Sequence, residues 1–503
     1  MKSNREETVD ILMIAEGTYP YIRGGVSSWI DQIITGMPEY SFGILFLGSK
    51  REDYEETKYD LPDNVKFFET YFLFDPLDVD EPSARNIKKE SMDRLKKFYQ
   101  NIRQNKKFDF ASLIDEELLS KDITINDFLY ADESWEFIKE NYRKNCPTLS
   151  FIDYFWSIRS IHRPVWLLTQ IAQKMNFAKV IHSPSTGYAG FLATLISNFH
   201  SIPFILTEHG IYIRERKMDM HTNSSFELYK SALQKSVKSN DYIKQMWINF
   251  FEKMGYLTYQ SAQEILSLFN GAKDLQIKFG ADEKRCRVIP NGVDVHRLNK
   301  LVSLRDPTPP KVITLLGRVV SIKDIKTFIR AIRITADRFP DVQGWVVGPT
   351  DEDVIYADEC NRMVESMNLK DNINFLGFQK IDDILPKSGI LTLTSISEGM
   401  PLTILEGFAS GLPCVATDVG SCTELIYGAL NEEDIAISKA GEVVSVSNPS
   451  ELAEAYIMLL EDVDLWKKYQ KSALQRVNTF YTQEIFFKQY RGVYEKALAQ
   501  WQG

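Results

Sequence analysis

Glu398-Gly399-Met400-Pro401-Leu402-Thr403-Ile404-Leu405-Glu406 brackets a glycine, a methionine, a proline and a helix-forming run between two carboxylates. Proline at a first helical position has no amide hydrogen to lose, so the spacing predicts a helix opened by Pro401, continued through Ser410 and stopped at Gly411. The amides of Leu402 and Thr403 then lie at the positive end of a helix dipole, an arrangement that suits a diphosphate. Glu398, just before the helix, is placed to accept hydrogen bonds from sugar hydroxyls, and Glu406, more than a turn inside, to reach a ribose. In isolation the same spacing also describes an ordinary capped helix with a solvated glutamate at each end, so the rest of the chain has to decide.

A second segment supplies cations. Gly317-Arg318-Val319-Val320-Ser321-Ile322-Lys323-Asp324 follows a strand-like run, Val312 to Leu316, and precedes a helix-like run, Lys326 to Arg338. Arginine offers a bidentate fork and lysine a mobile point charge, so the two neutralise a diphosphate leaving group from two sides. With its Gly-Met-Pro-Leu-Thr core, the acidic motif resembles that of the retaining glycosyltransferases of family 4, which have the GT-B fold. The resemblance implies two Rossmann-like, doubly wound parallel-sheet domains facing across a cleft, with a C-terminal helix returning to the N-terminal domain. It also implies that Arg318 and Lys323 hold the donor phosphates, and that Glu398, Gly399, Met400, Pro401, Leu402, Thr403 and Glu406 line the donor site.

Near the start, Val9 to Ala15 reads as a short buried strand, and Glu16-Gly17-Thr18-Tyr19-Pro20-Tyr21-Ile22-Arg23-Gly24-Gly25-Val26-Ser27-Ser28-Trp29 follows it. Gly24 and Gly25 open a helix and let a ligand approach its free amides, which matches the glycine-rich loop of the same family. Thr207-Glu208-His209-Gly210-Ile211-Tyr212 ends a β-rich run, where ligands of open α/β sheets bind. By resemblance His209 contacts the donor hexose and helps stabilise charge near the anomeric carbon. Of the six histidines, the other five have no motif around them. The Glu16 to Trp29 and Thr207 to Tyr212 strings are similar to the PelF subfamily, cytosolic glycosyltransferases of Pel exopolysaccharide synthesis. That resemblance implies a UDP-sugar donor, a growing polysaccharide acceptor, partners in an inner-membrane synthesis complex, and a cytoplasmic or peripheral location. The catalytic set it implies is His209, Arg318, Lys323 and Glu398.

The composition of the 503-residue chain, 44% hydrophobic and 25% charged, is that of a globular protein with sizeable cores. Its length exceeds one ordinary core and predicts two domains or three. A formal charge of −10 argues against a nucleic-acid partner. Five dispersed cysteines without a Cys-x-x-Cys pair indicate neither a disulfide framework nor a zinc site. No cofactor and no metal requirement are expected, because two cationic side chains already face the leaving group. The polar start, Met1 to Glu7, lacks the apolar core of a signal peptide, and no apolar run approaches the roughly 20 residues that span a bilayer.

Along the chain, strand-like runs alternate with helical patterns, which predicts parallel sheets. The expected boundaries are an N-terminal, acceptor-side domain over 1–300 with an inserted region about 50–146, a proline-rich linker from Lys300 to Pro310, a nucleotide-sugar domain over 311–481, and a final helix over 482–503. The insertion, including charged helical runs from Asn86 to Asn105, reads as surface helices over the first domain or as a docking face for a membrane partner. Trp135, Phe155, Trp156 and Trp166 are expected to pack in the core. Because Gly24, Gly25 and His209 fall in one half and the remaining site residues in the other, domain closure on the donor is expected, with hinges near Lys300 to Pro310 and around Tyr481. The leading function is a UDP-sugar-dependent hexosyltransferase; a family 4 enzyme with another acceptor, an epimerase-like enzyme and a non-catalytic GT-B protein are the alternatives.

Overall fold

A computed structural model describes residues 8–75, 85–103, 117–146, 150–222, 241–306 and 308–501. The polar start at Met1 to Glu7, Pro307 of the expected linker and the last residues of the helical run expected up to Asn105 lie outside them. The chain groups into two compact units. The first comprises the described residues up to Ser267, with Asp274–Arg287 and those from Arg491 on; the second comprises Leu268–Lys273 and Val288–Tyr490.

The first unit is built on β1 Val9–Glu16, β2 Phe42–Gly48, β3 Val65–Phe72, β4 Ala178–Ser183, β5 Phe204–Glu208, β6 Glu264–Ser267 and β7 Cys286–Val288, in the spatial order β3-β2-β1-β4-β5-β6-β7. The pairings from β3 through β6 are parallel. β2 and β5 are buried along their whole lengths and are apolar or β-branched except for Glu208 at the end of β5, as suits strands covered on both faces. The second unit repeats the plan with β8 Val312–Leu316, β9 Gln343–Val347, β10 Ile373–Gly377, β11 Ile390–Leu393, β12 Cys414–Thr417 and β13 Gly441–Val444, ordered β10-β9-β8-β11-β12-β13 and parallel throughout. Helix Ile325–Arg338 shows how the layers close: Ile325, Phe328, Ile329, Ile332 and Ala336 form one buried stripe at helical spacing.

Each sheet reverses its winding direction once, between β1 and β4 in the first unit and between β8 and β11 in the second. The loops leaving the carboxyl ends of those strands diverge and leave a crevice, the ordinary ligand position of such sheets.

Several sequence expectations are corrected. Within the expected insertion, residues 65–72 form β3 and extend the sheet beside β2, where the bare Cα of Gly43 makes room for the Phe67 ring. Helix Lys89–Arg103 is not a surface appendage either: Met92, Leu95, Phe98 and Tyr99 are buried in the first unit's core. Trp166 is buried as expected, its indole N–H donating to the Ile123 carbonyl at 2.9 Å, whereas Trp135 is exposed. The stretch from Lys300 belongs to the second unit instead of hanging between the two. Buried Arg305 donates to the carbonyls of Ser388, Ser410, Gly411 and Leu385 at 2.8–3.0 Å, which ties the segment down. Burial pulls its pKa down to about 10, and four carbonyl acceptors still leave it a cation at neutral pH.

Candidate functional site

In the second unit the crevice is lined by the loops after β8 and β11. After β8 the chain passes Gly317, Arg318 and a single 3-10 turn, Ser321–Lys323, before Asp324 caps helix Ile325–Arg338 by accepting from the Thr327 amide. After β11 it runs through Ser395 to Pro401 and enters helix Leu402–Ala409. Two bonds weld the loops together: Thr394 donates to the Lys323 carbonyl at 2.7 Å and the Ile396 amide to the Ile322 carbonyl at 2.8 Å. The result places the Lys323 ammonium on Glu398 Oε1, which also accepts from the Ser395 hydroxyl at 2.6 Å. Both side chains are largely sheltered, Lys323 at 20% and Glu398 at 14% exposure, so this pair feels a weaker dielectric screen than a surface pair.

Arg318 is brought to the same loop but points its guanidinium at Glu352, with Nη1 2.5 Å from both carboxylate oxygens. That pair is half-exposed. Pro401 is the N-cap of its helix, not its first residue, and the helix runs from Leu402 to Ala409 with Ser410 as its C-cap. Its extended backbone, with ψ near 114°, rotates the peptide out of the helix one residue later than the pattern implied. The consequence for Leu402 and Thr403 is unchanged, since no side chain caps this terminus and the first amides of a helix have no acceptor within it. Gly399 and Met400 are held from behind: the Gly399 carbonyl accepts from the Ser421 amide at 2.9 Å, and Met400 Sδ lies 3.3 Å from the Asn291 amide. A Cβ at Gly420, whose φ is +55°, would come within 2.3 Å of the Gly399 oxygen, so the motif's backbone is packed against a position only glycine can fill.

The carboxyl of Glu406, within helix Leu402–Ala409, makes no hydrogen bond among the described residues. Burial pushes its carboxyl up to about 7, while Arg297 pulls it down and Asp382 pushes it further up. An unbonded, half-buried carboxyl is a group held ready for a hydrogen-bonding partner.

In the first unit, Gly24 is the N-cap of helix Gly25–Gly36, and a Cβ at either glycine would meet no atom within 4 Å. Gly24 has φ 175°, extended backbone that any residue adopts, so what the glycines provide is open space over the helix start. Trp29 on that helix meets the His209 ring edge-on at 4.7 Å between centroids. His209 Nε2 is buried and has no hydrogen-bond partner among the described residues. Burial pulls the ring's pKa down to about 3, leaving a neutral imidazole with an unspent ring nitrogen. Glu16, Gly17, Lys50, Tyr54, His209 and Arg216 line a cleft of about 550 Å3 at the carboxyl ends of these strands.

Sequence reasoning missed Glu352, Ser395 and Asn291 as neighbours of the site, and Glu16 and Glu208 as its supports. Glu16 accepts from the Ala189 amide at 2.9 Å and the Tyr212 hydroxyl at 3.0 Å. Glu16 and Glu208 stood inside the quoted motif strings, which was the only available signal; Glu352 and Ser395 carried none. Buried Glu208 accepts from Tyr259 at 2.5 Å, Thr186 at 2.9 Å and Gln276 at 3.1 Å. Burial nevertheless pushes its carboxyl up to about 7. Because the folded value lies above the ordinary one near 4.5, the native state holds a proton that the unfolded chain has released. Its contribution to stability is full below about pH 4.5 and is lost as pH rises through about 7. Glu208→Gln should therefore flatten the fall in stability between pH 5 and 7.5, read as urea midpoints at several pH values; an unchanged slope would show that Glu208 is ionised in the native state.

The chain matches the family model described as "Domain of unknown function (DUF3492)" over residues 9–284 and that described as "Glycosyl transferases group 1" over residues 310–462. A UDP-Gal:alpha-D-GlcNAc-diphosphoundecaprenol alpha-1,3-galactosyltransferase of Escherichia coli is 27% identical over 280 residues, 53% of this chain and 63% of that one. A D-inositol 3-phosphate glycosyltransferase of Corynebacterium glutamicum is 25% identical over 223 residues, 41% of this chain and 51% of that one. Among solved structures, Anabaena HepE in complex with UDP superposes with a TM-score of 0.59 at 13% identity, covering 97% of this chain and all of that one. Sucrose-phosphate synthase from Thermosynechococcus elongatus gives a TM-score of 0.57 at 14% identity over 97% and 99%. At such identities the structures establish the fold alone, and it is GT-B, two Rossmann-like sheets of seven and six strands. Since the first model spans more than half of the residues, the chain belongs to the family of the domain of unknown function DUF3492, joined here to a glycosyl transferases group 1 domain.

Proposed function

We propose that this protein is a retaining hexosyltransferase that moves a hexose or N-acetylhexosamine from a UDP-sugar to a growing extracellular polysaccharide of the Pel type. In this proposal it works at the cytoplasmic face of the membrane with membrane-bound synthesis proteins. A shared fold does not carry an activity. The observation that carries it is the contact between Lys323 and Glu398, residues far apart in sequence that the winding reversal of the second sheet sets side by side beside an uncapped helix start. A cation for phosphate, a carboxylate for sugar hydroxyls and free amides are the groups that a nucleotide-sugar needs at the bond to be broken.

The proposed chemistry is electrostatic. As the bond from the anomeric carbon to the diphosphate lengthens, negative charge builds on the leaving oxygen. Lys323, Arg318 and the Leu402 and Thr403 amides stabilise it from fixed positions. Glu398 orients the hexose and Glu406 the ribose. Neutral His209, with Gly24 and Gly25 leaving room nearby, serves the transferred sugar. Both cations rest on carboxylates, Lys323 on Glu398 and Arg318 on Glu352, so in this proposal donor phosphates compete with existing partners. We propose that no metal takes part; transfer that EDTA abolishes and magnesium or manganese restores would overturn that part.

The relative from E. coli is named for a diphosphoundecaprenol-linked acceptor, which keeps a lipid-linked sugar as the second choice of acceptor. The test begins with saturation binding of UDP against ADP and GDP, followed by hydrolysis of several UDP-hexoses; absence of UDP binding to the folded protein would overturn the proposal. Glu406→Ala should weaken UDP binding by about 1.5–3 kcal/mol, the worth of hydrogen bonds to a charged group, measured by calorimetric titration. An unchanged affinity would remove Glu406 from the ribose.

A further inference from the structure

Four helices of the first unit, Lys89–Arg103, Asp132–Asn145, Phe151–Gln173 and Asp241–Ser261, surround a cavity of about 290 Å3. It lies within the DUF3492 region and shares no residue with the cleft beside His209. Its walls are mainly apolar and aromatic, with Phe137, Ile158, Ile161, Met246 and Phe250 among them. Protein interiors close such spaces, because voids larger than a water molecule forfeit contacts on every side. This one opens to solvent between the four helices and leaves apolar wall that an occupant would cover. An apolar cavity of about 150 Å3 is enough to take benzene, so this one has room for two fused rings.

Two of the polar side chains in the wall are buried and unpartnered among the described residues. Tyr99 and His162 are 8% and 7% exposed, their rings 4.0 Å apart between centroids. Neither the Tyr99 hydroxyl nor His162 Nδ1 has a hydrogen-bond partner among the described residues. Each such group is costly when left unpaired, and two in contact along one cavity call for a common explanation. Burial pulls the imidazole down to about 3 and raises the phenol well above its usual range, so both are uncharged at neutral pH. With the ring proton of the neutral imidazole on Nε2, Nδ1 accepts, and a phenol donates. One hydroxyl on a ligand does the reverse of both, donating to Nδ1 and accepting from the tyrosine. A charged ligand would have to leave water for an apolar wall without a counter-charge at its deep end, which is costly. Charges of both signs, Lys96, Lys144 and Glu140, also line the pocket, with Lys96 3.8 Å from Glu140.

We propose that this four-helix cavity binds a small neutral ring compound of one or two fused rings through a single hydroxyl held between Tyr99 and His162. The inference is independent of the transfer reaction, since it uses none of the residues assigned to the donor. The probe is 2-naphthol, titrated calorimetrically into the full chain beside naphthalene and 2-naphthoate. One saturable site is expected for 2-naphthol, with naphthalene about tenfold weaker and 2-naphthoate weaker still. Tyr99→Phe, which keeps the ring, should bring 2-naphthol down to the level of naphthalene, and Ile158→Trp, which fills the space, should abolish binding of both. UDP affinity should be the same in either variant. Equal binding of naphthalene and 2-naphthol, unaltered 2-naphthol binding by Tyr99→Phe, tighter binding of 2-naphthoate, or no saturable site would each overturn the proposal, the last leaving water as the partner of the two polar groups. If Ile158→Trp does not fold, Tyr99→Phe alone decides. A protein that binds 2-naphthol but not UDP would overturn the transferase reading and leave this one standing.

Discussion

Arg476→Ala should destabilise the protein by about 3–5 kcal/mol, the cost of breaking a fully buried ion pair from one side. Arg476 and Asp434 are both 0% exposed, with Nε 2.7 Å from Oδ1. The guanidinium also donates to the carbonyls of Ile426, Asp434 and Ile437. On the other side, Asp434 Oδ2 accepts from the amides of Ala429 and Leu430 at 2.9 and 3.1 Å. Removing the arginine leaves a carboxylate in the core with two amides and no counter-charge, and three carbonyls short of a donor. Arg476→Lys should recover only part of the loss, since one ammonium does not reach the acceptors that a planar fork spans. Gly428 sets a second constraint: with φ +87°, a Cβ there would come within 2.5 Å of the Asp434 carbonyl and 2.7 Å of Arg476 Nη2. Urea unfolding of the second unit's signal checks the figure; a loss under about 1 kcal/mol would mean that water reaches the pair. Replacing both partners by apolar residues of matching volume should be much milder than replacing either.

Lys323→Ala should lower turnover by about two to three orders of magnitude, the usual effect of deleting one preorganised donor at a developing negative charge. The structure sharpens the expectation, because the lysine stem passes Gly317, where a Cβ would stand 3.5 Å from Lys323 Cε, and the ammonium ends on Glu398. Glu398→Gln should also abolish transfer, yet it frees Lys323 for phosphate, so UDP affinity in that variant should stay level or rise. Loss of UDP affinity on Glu398→Gln would show that the carboxylate, not the lysine, meets the nucleotide. Initial rates of UDP-sugar turnover together with UDP titration separate these outcomes, and an unchanged melting temperature excludes a folding defect.

The local grammar of the chain was legible without coordinates. The runs that became β1 and β8 were read from their apolar residues because doubly covered parallel strands show little else, and the helix starts at Gly25 and Leu402 announced themselves through Gly and Pro, the second one residue early. β3 escaped because Val65–Phe72 mixes lysine, glutamate and threonine with its aromatics, as befits a strand at the edge of the sheet with mostly half-buried residues. The buried face of helix Lys89–Arg103 was obscured by its many charges, although Met92, Leu95 and Tyr99 recur at helical spacing.

The sequence by itself determined which residue types stand at the ends of which strands, since turn chemistry and hydrophobic period are local properties. Only the tertiary structure decided which of them meet. That Lys323 rests on Glu398 while Arg318 turns to Glu352, that burial beside Arg297 and Asp382 sets the Glu406 carboxyl, and that Arg305 fastens the supposed linker to the second unit all depend on contacts between distant segments. Such pairings follow from the order in which strands assemble in a sheet and from what each side chain loses on leaving water, and neither is written in the spacing of residues along a chain.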